Sequence, residues 1–185
     1  MFRKGLSSPR LKKFRTRTRG RDRAALPGPS HTQGKGGDEG FNADIKRSKH
    51  DCIFFGNRYF PHLVTRACAP FHHRLIELAE TPEHDRVSIL APRGHAKSTW
   101  LSIIYPIWKI VNDRDIKIII VSDTGDQAEM FLRLIKDELE ANERLIEDFG
   151  SFYVKPSSGS PNVWRATDIT VQRPSRAKEP TIVSG

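Results

Sequence analysis

Between Ala91 and Thr99 the chain reads Ala91-Pro-Arg-Gly-His-Ala-Lys-Ser-Thr99, a run that gathers a lysine, two adjacent hydroxyls, an arginine and a glycine. That set matches what a polyphosphate demands. Phosphate oxygens need several converging N–H donors, and a helix start supplies them with the positive end of its dipole. A lysine must reach the β and γ phosphates, and a hydroxyl must follow it to hold Mg²⁺. Lys97 and Ser98 stand in those positions, Thr99 follows as support for the phosphate site, and Gly94 allows a tight path. The fit to the general pattern G-x-x-x-x-G-K-[ST] is incomplete, because both glycine positions are alanine, Ala91 and Ala96. Alanine is the smallest replacement, but it makes a positive φ costly. The plainer alternative is a lysine at an ordinary helix start after a turn through Pro92 and Gly94.

The motif's usual setting is between a strand and a helix, and the flanking residues predict both. Arg86-Val-Ser-Ile-Leu-Ala91 is a short apolar run expected to form a buried strand. A helix is predicted from about Ala96 to Val111, apolar on one side through Leu101, Ile104, Ile107 and Trp108. Pro106 lies inside it and should kink it or end its first half. Asp115-Ile-Lys-Ile-Ile-Ile-Val-Ser122 has the β-branched run of a strand in a sheet covered on both faces. A turn at 123–126 leads to a long helix from Gln127 to about Phe149, with Ala128, Phe131, Leu132, Ile135, Leu139 and Leu145 near helical spacing. Upstream, Pro70 opens a short amphipathic helix whose Leu75, Ile76, Leu78 and Ala79 point inward, and 52–64 is dense in aromatics. A Ser/Gly/Pro loop is expected at 150–161, and 168–171 and 181–183 are short strand candidates. The alternation of strand and helix predicts an α/β domain with a mainly parallel sheet.

Charge separates a tail from this domain. Residues 1–40 hold 11 Lys+Arg against 3 Asp+Glu, which is +8 of the total net charge of +9. The segment 1–43 is too polar to bury a core and is expected to be disordered, leaving 44–185 as the folded part. The tail is a candidate arm for nucleic-acid phosphates, with a solvated extension or an upstream start as the plainer readings. No apolar run is long enough to span a bilayer or form a signal-peptide core, so a soluble, intracellular chain is expected. The two cysteines, Cys52 and Cys68, give no disulfide framework, and with the nearby histidines they match no tight zinc spacing.

From about Ile53 to Gly185 the chain resembles the N-terminal ATPase domain of phage terminase large subunits. The resemblance rests on Arg93 standing four residues before Lys97, on Pro70-Phe71-His72 ahead of the first strand, and on Val121-Ser-Asp-Thr-Gly-Asp-Gln-Ala128 leading into a long helix that closes with Asp148-Phe149-Gly150. The segment from Trp164 to Val171 also has the family's look. The resemblance implies a P-loop NTPase core with ATP and Mg²⁺ as cofactors. Pro92, Arg93, Gly94, His95, Ala96, Lys97, Ser98 and Thr99 would line the nucleotide site. Lys97 would neutralise the β/γ phosphates, Ser98 would ligate Mg²⁺, Arg93 would sense or stabilise the γ-phosphate, and Phe71 would stack near adenine. A surface salt bridge for Arg93 and a core position for Phe71 remain the alternatives. Asp123 and Gln127 would couple nucleotide state to DNA contact, or form a turn and a helix cap. The implied partners are double-stranded DNA, a portal protein and a small terminase subunit, with a homo-oligomeric ring, no membrane, and the cytoplasm of an infected host cell as the location.

An acidic pair after an apolar strand, needed for Mg²⁺ ligation and water activation, does not follow Ser98; Ile118-Ile-Ile-Val-Ser-Asp123 is the nearest imitation. The family's nuclease carboxylates are not found in the sequence either. The sequence therefore predicts an N-terminal piece that binds nucleotide without hydrolysing it at a motor-like rate. A helicase-like DNA translocase and a non-catalytic nucleic-acid-binding module with a degenerate loop are the other readings.

Overall fold

A computed structural model describes residues 37–83, 85–153, 163–175 and 177–185. Helix α1 spans Gly37–His50, α2 Cys52–Tyr59 and α3 Pro70–Glu80; a π-helical stretch, Thr99–Ile104, runs into α4, Tyr105–Asn112. Strand β1 is Ile118–Ile120, followed by α5, Gly125–Ala141, and α6, Glu143–Phe149. Strands β2, Asp168–Ile169, and β3, Ile182–Ser184, complete a three-stranded sheet of order β1-β3-β2. The fold is α/β, with the helices dominant and the sheet small. Among the described residues no helix is long and apolar enough to cross a membrane.

The core forms around the helix that follows the phosphate-type loop. Trp100, Ile103, Ile104, Ile107, Trp108 and Ile110 are buried there, against Phe55, Tyr59 and Phe60 from α2 and its end. Close approach is possible because α2 presents Gly56: a Cβ at that position would lie 2.5 Å from the Trp100 ring. The predicted disturbance at Pro106 takes the form of the π-helical stretch. Proline has no N–H to donate and its ring crowds the carbonyl four residues back. Just before it the ladder widens, with the Tyr105 N–H donating to the Trp100 carbonyl, and the helix continues to Asn112.

Helix α1 begins at Gly37, so ordered structure reaches upstream of the expected boundary at residue 44. The rest of the basic tail lies outside the described residues, as does most of the expected 150–161 loop. Helix α1 is tied down by the Trp108 Nε1–H, which donates to the Ser48 carbonyl at 2.8 Å. Arg58 joins Asp44 at 3.0 Å and Asp148 at 3.4 Å. The Asp148 side chain is only 1% exposed and also accepts from Tyr59 Oη at 2.6 Å. Burial, and then this carboxylate, push the Tyr59 phenol above its ordinary range. Arg114 plays the same part near the sheet, donating to the carbonyls of Phe149, Ser151 and Gln172.

Four expectations need correction. First, Arg86–Ala91 is not a strand: it has no ladder partner among the described residues, and Leu90 is 98% exposed. An apolar run supplies side chains for burial, but a strand also needs a neighbour for its backbone. Second, the sheet is mixed rather than mainly parallel, since β1 pairs with β3 in parallel but β2 pairs with β3 antiparallel. Third, it is not covered on both faces: β1 is an edge strand, with Ile119 and the following Val121 exposed. Fourth, the long helix breaks at Asn142, which caps α6 by accepting from the Leu145 N–H at 3.2 Å. Its amide also donates to the Tyr59 carbonyl at 2.8 Å, and such side-chain bonds compete with a continuing helix.

The crossing at Gly56 gives a direct test. Gly56→Ala is expected to lower stability by about 1–3 kcal/mol through overpacking against Trp100. Gly40→Ala, on an exposed face of α1 with open space around its Cβ, is expected to be neutral or stabilising by up to about 1 kcal/mol. Urea denaturation of both variants measures the contrast.

Candidate nucleotide site

The loop expected to hold phosphate passes through two left-handed residues before the helix starts. Gly94 has φ 80° and Ala96 has φ 52°; among the described residues Ala96 is the only non-glycine with positive φ. That conformation costs an L-residue about 1–2 kcal/mol. Ala96 stands where the general pattern puts its second glycine, so the backbone adopts the shape glycine would take although the side chain opposes it. Lys97 and Ser98 are already helical, and the Trp100 N–H donates to the Ala96 carbonyl at 3.0 Å. The helix thus begins at the lysine, as the chemistry requires. Among the described residues, none of the N–H groups from Gly94 to Ser98 donates to a backbone acceptor outside the helices or to a side chain. They are open donors at a helix start, where an anion is favoured.

Two histidines fix the loop. His95 Nδ1 donates to the Arg93 carbonyl at 3.1 Å, closing the turn on itself. His72, in the first turn of α3, lies with Nε2 3.0 Å from the His95 carbonyl. Their rings join a short aromatic row: Phe71 tilted against His72 at 4.0 Å between centroids, Phe71 edge-on to His95 at 5.5 Å, and His72 tilted against Trp100 at 5.8 Å. Trp100 belongs to the core, so this row connects loop and interior.

The side chains differ in exposure. Lys97 and Thr99 are half-buried, whereas Pro92, Arg93, Gly94, His95, Ala96 and Ser98 are exposed. Among the described residues neither Arg93 nor Lys97 enters an ion pair. Their charge is therefore not neutralised by a neighbouring carboxylate, and the salt-bridge alternative for Arg93 finds no partner there. Beside the loop lies a cavity of about 370 Å³, lined by Phe71, Leu75, Leu78, Leu90, Pro92 and His95 among others. It is mostly apolar and aromatic and adjoins the phosphate-type donors, and its size falls within the range of small-ligand pockets.

Three other depressions are larger. One of about 500 Å³ lies between Tyr59, His62 and Asn142, where His62 is held by Glu138 at 2.6 Å and the Asn142 amide by the Tyr59 carbonyl at 2.8 Å. One of about 440 Å³ lies beside β1 and is lined by aliphatic side chains with Lys109. A third, of about 390 Å³, lies along α5 and is lined by Asp126, Glu129, Arg133 and Lys136 among others, and none of the three is lined by residues of the 94–98 turn.

Other expected residues fall elsewhere. Asp123 is exposed, and Thr124 rather than Asp123 or Gln127 caps α5; Gln127 instead accepts from Ser122 Oγ at 2.6 Å. Asp148 and Phe149 serve the core contacts of α2. Among the described residues no group of three His, Cys, Asp or Glu side chains is placed to hold a metal ion. The role of His72 as a brace was missed, because no local pattern encodes a contact from 72 to 95. The one available signal was Pro70, which sets the helix start and so puts His72 in its first turn.

The strain at Ala96 is measurable. Ala96→Gly is expected to raise stability by about 0.5–1 kcal/mol, since relief of the left-handed conformation exceeds the added freedom of the unfolded chain. Gly94→Ala is expected to lower it by about 1–2 kcal/mol through backbone strain alone, because a Cβ there would meet nothing within 4 Å. Chemical denaturation checks both signs.

Comparison with protein-family models, with curated proteins and with solved structures finds no match to this chain.

Proposed function

We propose that the 91–99 loop binds the polyphosphate of ATP with Mg²⁺, as the nucleotide-binding part of a DNA-packaging terminase large subunit. The observation that carries the nucleotide assignment is the left-handed Ala96 in front of Lys97, with open N–H donors from Gly94 to Ser98. Strained non-glycine residues cluster at active sites and ligand clamps, which supports a functional reading of the turn. In this proposal Lys97 faces the β and γ phosphates, Ser98 ligates Mg²⁺ and Thr99 supports the site. Arg93, exposed and without an ion-pair partner among the described residues, meets the γ-phosphate. Phe71 packs against the base in the adjoining apolar cavity. Stabilising spread phosphate charge is the main work of such a site.

The terminase assignment adds the use of that energy, which is translocation of double-stranded DNA into a capsid. It rests on the resemblance carried by Arg93 and Lys97, by Phe71-His72 and by the segment from Val121 to Ala128. Partners would be DNA, a portal protein and a small subunit, in a ring of copies within the infected host cell.

The nucleotide assignment is tested by titrating the 185-residue chain with a fluorescent ATP analogue in the presence of Mg²⁺. Lys97→Ala is expected to weaken binding roughly 10- to 100-fold, the value of a charge-assisted contact. Equal affinity in the variant and the wild type would instead favour a nucleic-acid-binding module in which the loop is vestigial.

A further inference from the structure

Both ring nitrogens of His72 are committed to backbone groups. The Ala69 N–H donates to Nδ1 at 3.0 Å, so Nδ1 carries no proton. The proton is then on Nε2, which donates it to the His95 carbonyl at 3.0 Å. The imidazole is neutral, in a single tautomer, and bridges the residue before α3 to the loop. Phe71 and Trp100 flank the ring and hold its plane.

The His95 carbonyl belongs to the same peptide unit as the Ala96 N–H. That unit is planar and trans, since the described residues contain no cis peptide bond, and in a trans unit the C=O and N–H point in opposite directions. A bond that draws the carbonyl toward α3 therefore turns the Ala96 N–H away from α3. The same peptide precedes the left-handed Ala96 Cα, whose strain would be relieved by letting the unit rotate. Few contacts oppose that rotation, because Gly94, His95 and Ala96 are all exposed. The His72 bond is one that does.

We propose that His72 is a positioning residue, which sets the Ala96 amide for anion binding by holding the carbonyl of the same peptide. This deepens the nucleotide assignment and rests on it. His72 itself touches no ligand, because neither nitrogen is free to do so.

The test uses the full chain, with inorganic triphosphate and Mg²⁺ as the probe, so that base contacts do not contribute. His72→Phe keeps a ring between Phe71 and Trp100 but loses both hydrogen bonds, and is expected to weaken binding roughly three- to tenfold. His72→Gln should recover most of that loss. A glutamine in the first turn of a helix can accept from the capping N–H, and its amide can donate to the His95 carbonyl.

Two measurements without ligand keep the proposal separable from the nucleotide assignment. Nitrogen NMR of the wild type is expected to show His72 protonated at Nε2 and bare at Nδ1. The Ala96 amide resonance is expected to shift in His72→Phe and to return toward its wild-type position in His72→Gln. A wild-type tautomer protonated at Nδ1, or an Ala96 amide unmoved in His72→Phe, overturns the proposal. So does undiminished triphosphate binding by His72→Phe when Lys97→Ala has lost it. If Lys97→Ala binds triphosphate as well as the wild type, the nucleotide assignment fails, and the positioning role is decided by the tautomer and the Ala96 amide alone.

Discussion

Everything at the candidate site depends on how closely α2 approaches the helix that begins at Lys97. Trp100 is 1% exposed and sits where a side chain at Gly56 would have to be. Once that indole is seated, the rotation and depth of the helix start are fixed, and Lys97, three residues earlier, lies almost a full turn behind it. The remaining core residues on this helix, from Ile103 to Ile110, extend the same contact toward α1 and α2. Burial of large aromatic and aliphatic side chains on a single helix is the dominant favourable term available here. It anchors the one element whose start must be rigid.

The loop ahead of the helix has the opposite character. Its side chains are mostly exposed, and its backbone holds an alanine in a conformation that alanine resists. Two histidine-to-carbonyl bonds and a short aromatic row offset that strain. Among the described residues the turn's donors meet no side-chain acceptor and Lys97 meets no carboxylate, which makes the turn electrostatically positive. The rigid helix and the strained turn are complementary: one supplies a fixed frame, the other a set of oriented dipoles that would cost nothing to reorganise when an anion arrives.

Helical periodicity was the most legible signal in the sequence. Leu75 and Ile76 in α3, and Ala128, Leu132, Ile135 and Leu139 in α5, are buried as their spacing predicts. The two short C-terminal strand candidates, 168–171 and 181–183, also overlap β2 and β3. What could not be read was anything that depends on a distant partner. Arg86–Ala91 has the composition of a strand but nothing to pair with among the described residues, and Ile119 looks like a buried position until its side of the sheet proves uncovered. At Asn142 the competing side-chain cap outweighs the apolar periodicity on either side. Around the site, the types and order of Gly94, Lys97 and Ser98 were visible from the sequence, as was the cost of alanine at 96. The brace from His72 was not, because it joins residues 23 positions apart through a backbone carbonyl.

The most direct test of the loop as a polyphosphate site is an amide NMR titration of the 185-residue chain with magnesium triphosphate. The account predicts saturable shifts concentrated at the N–H groups of residues 94–98, together with a response of the Lys97 side chain. Shifts confined to other basic surfaces, or none at residues 94–98 at saturating triphosphate, would contradict it.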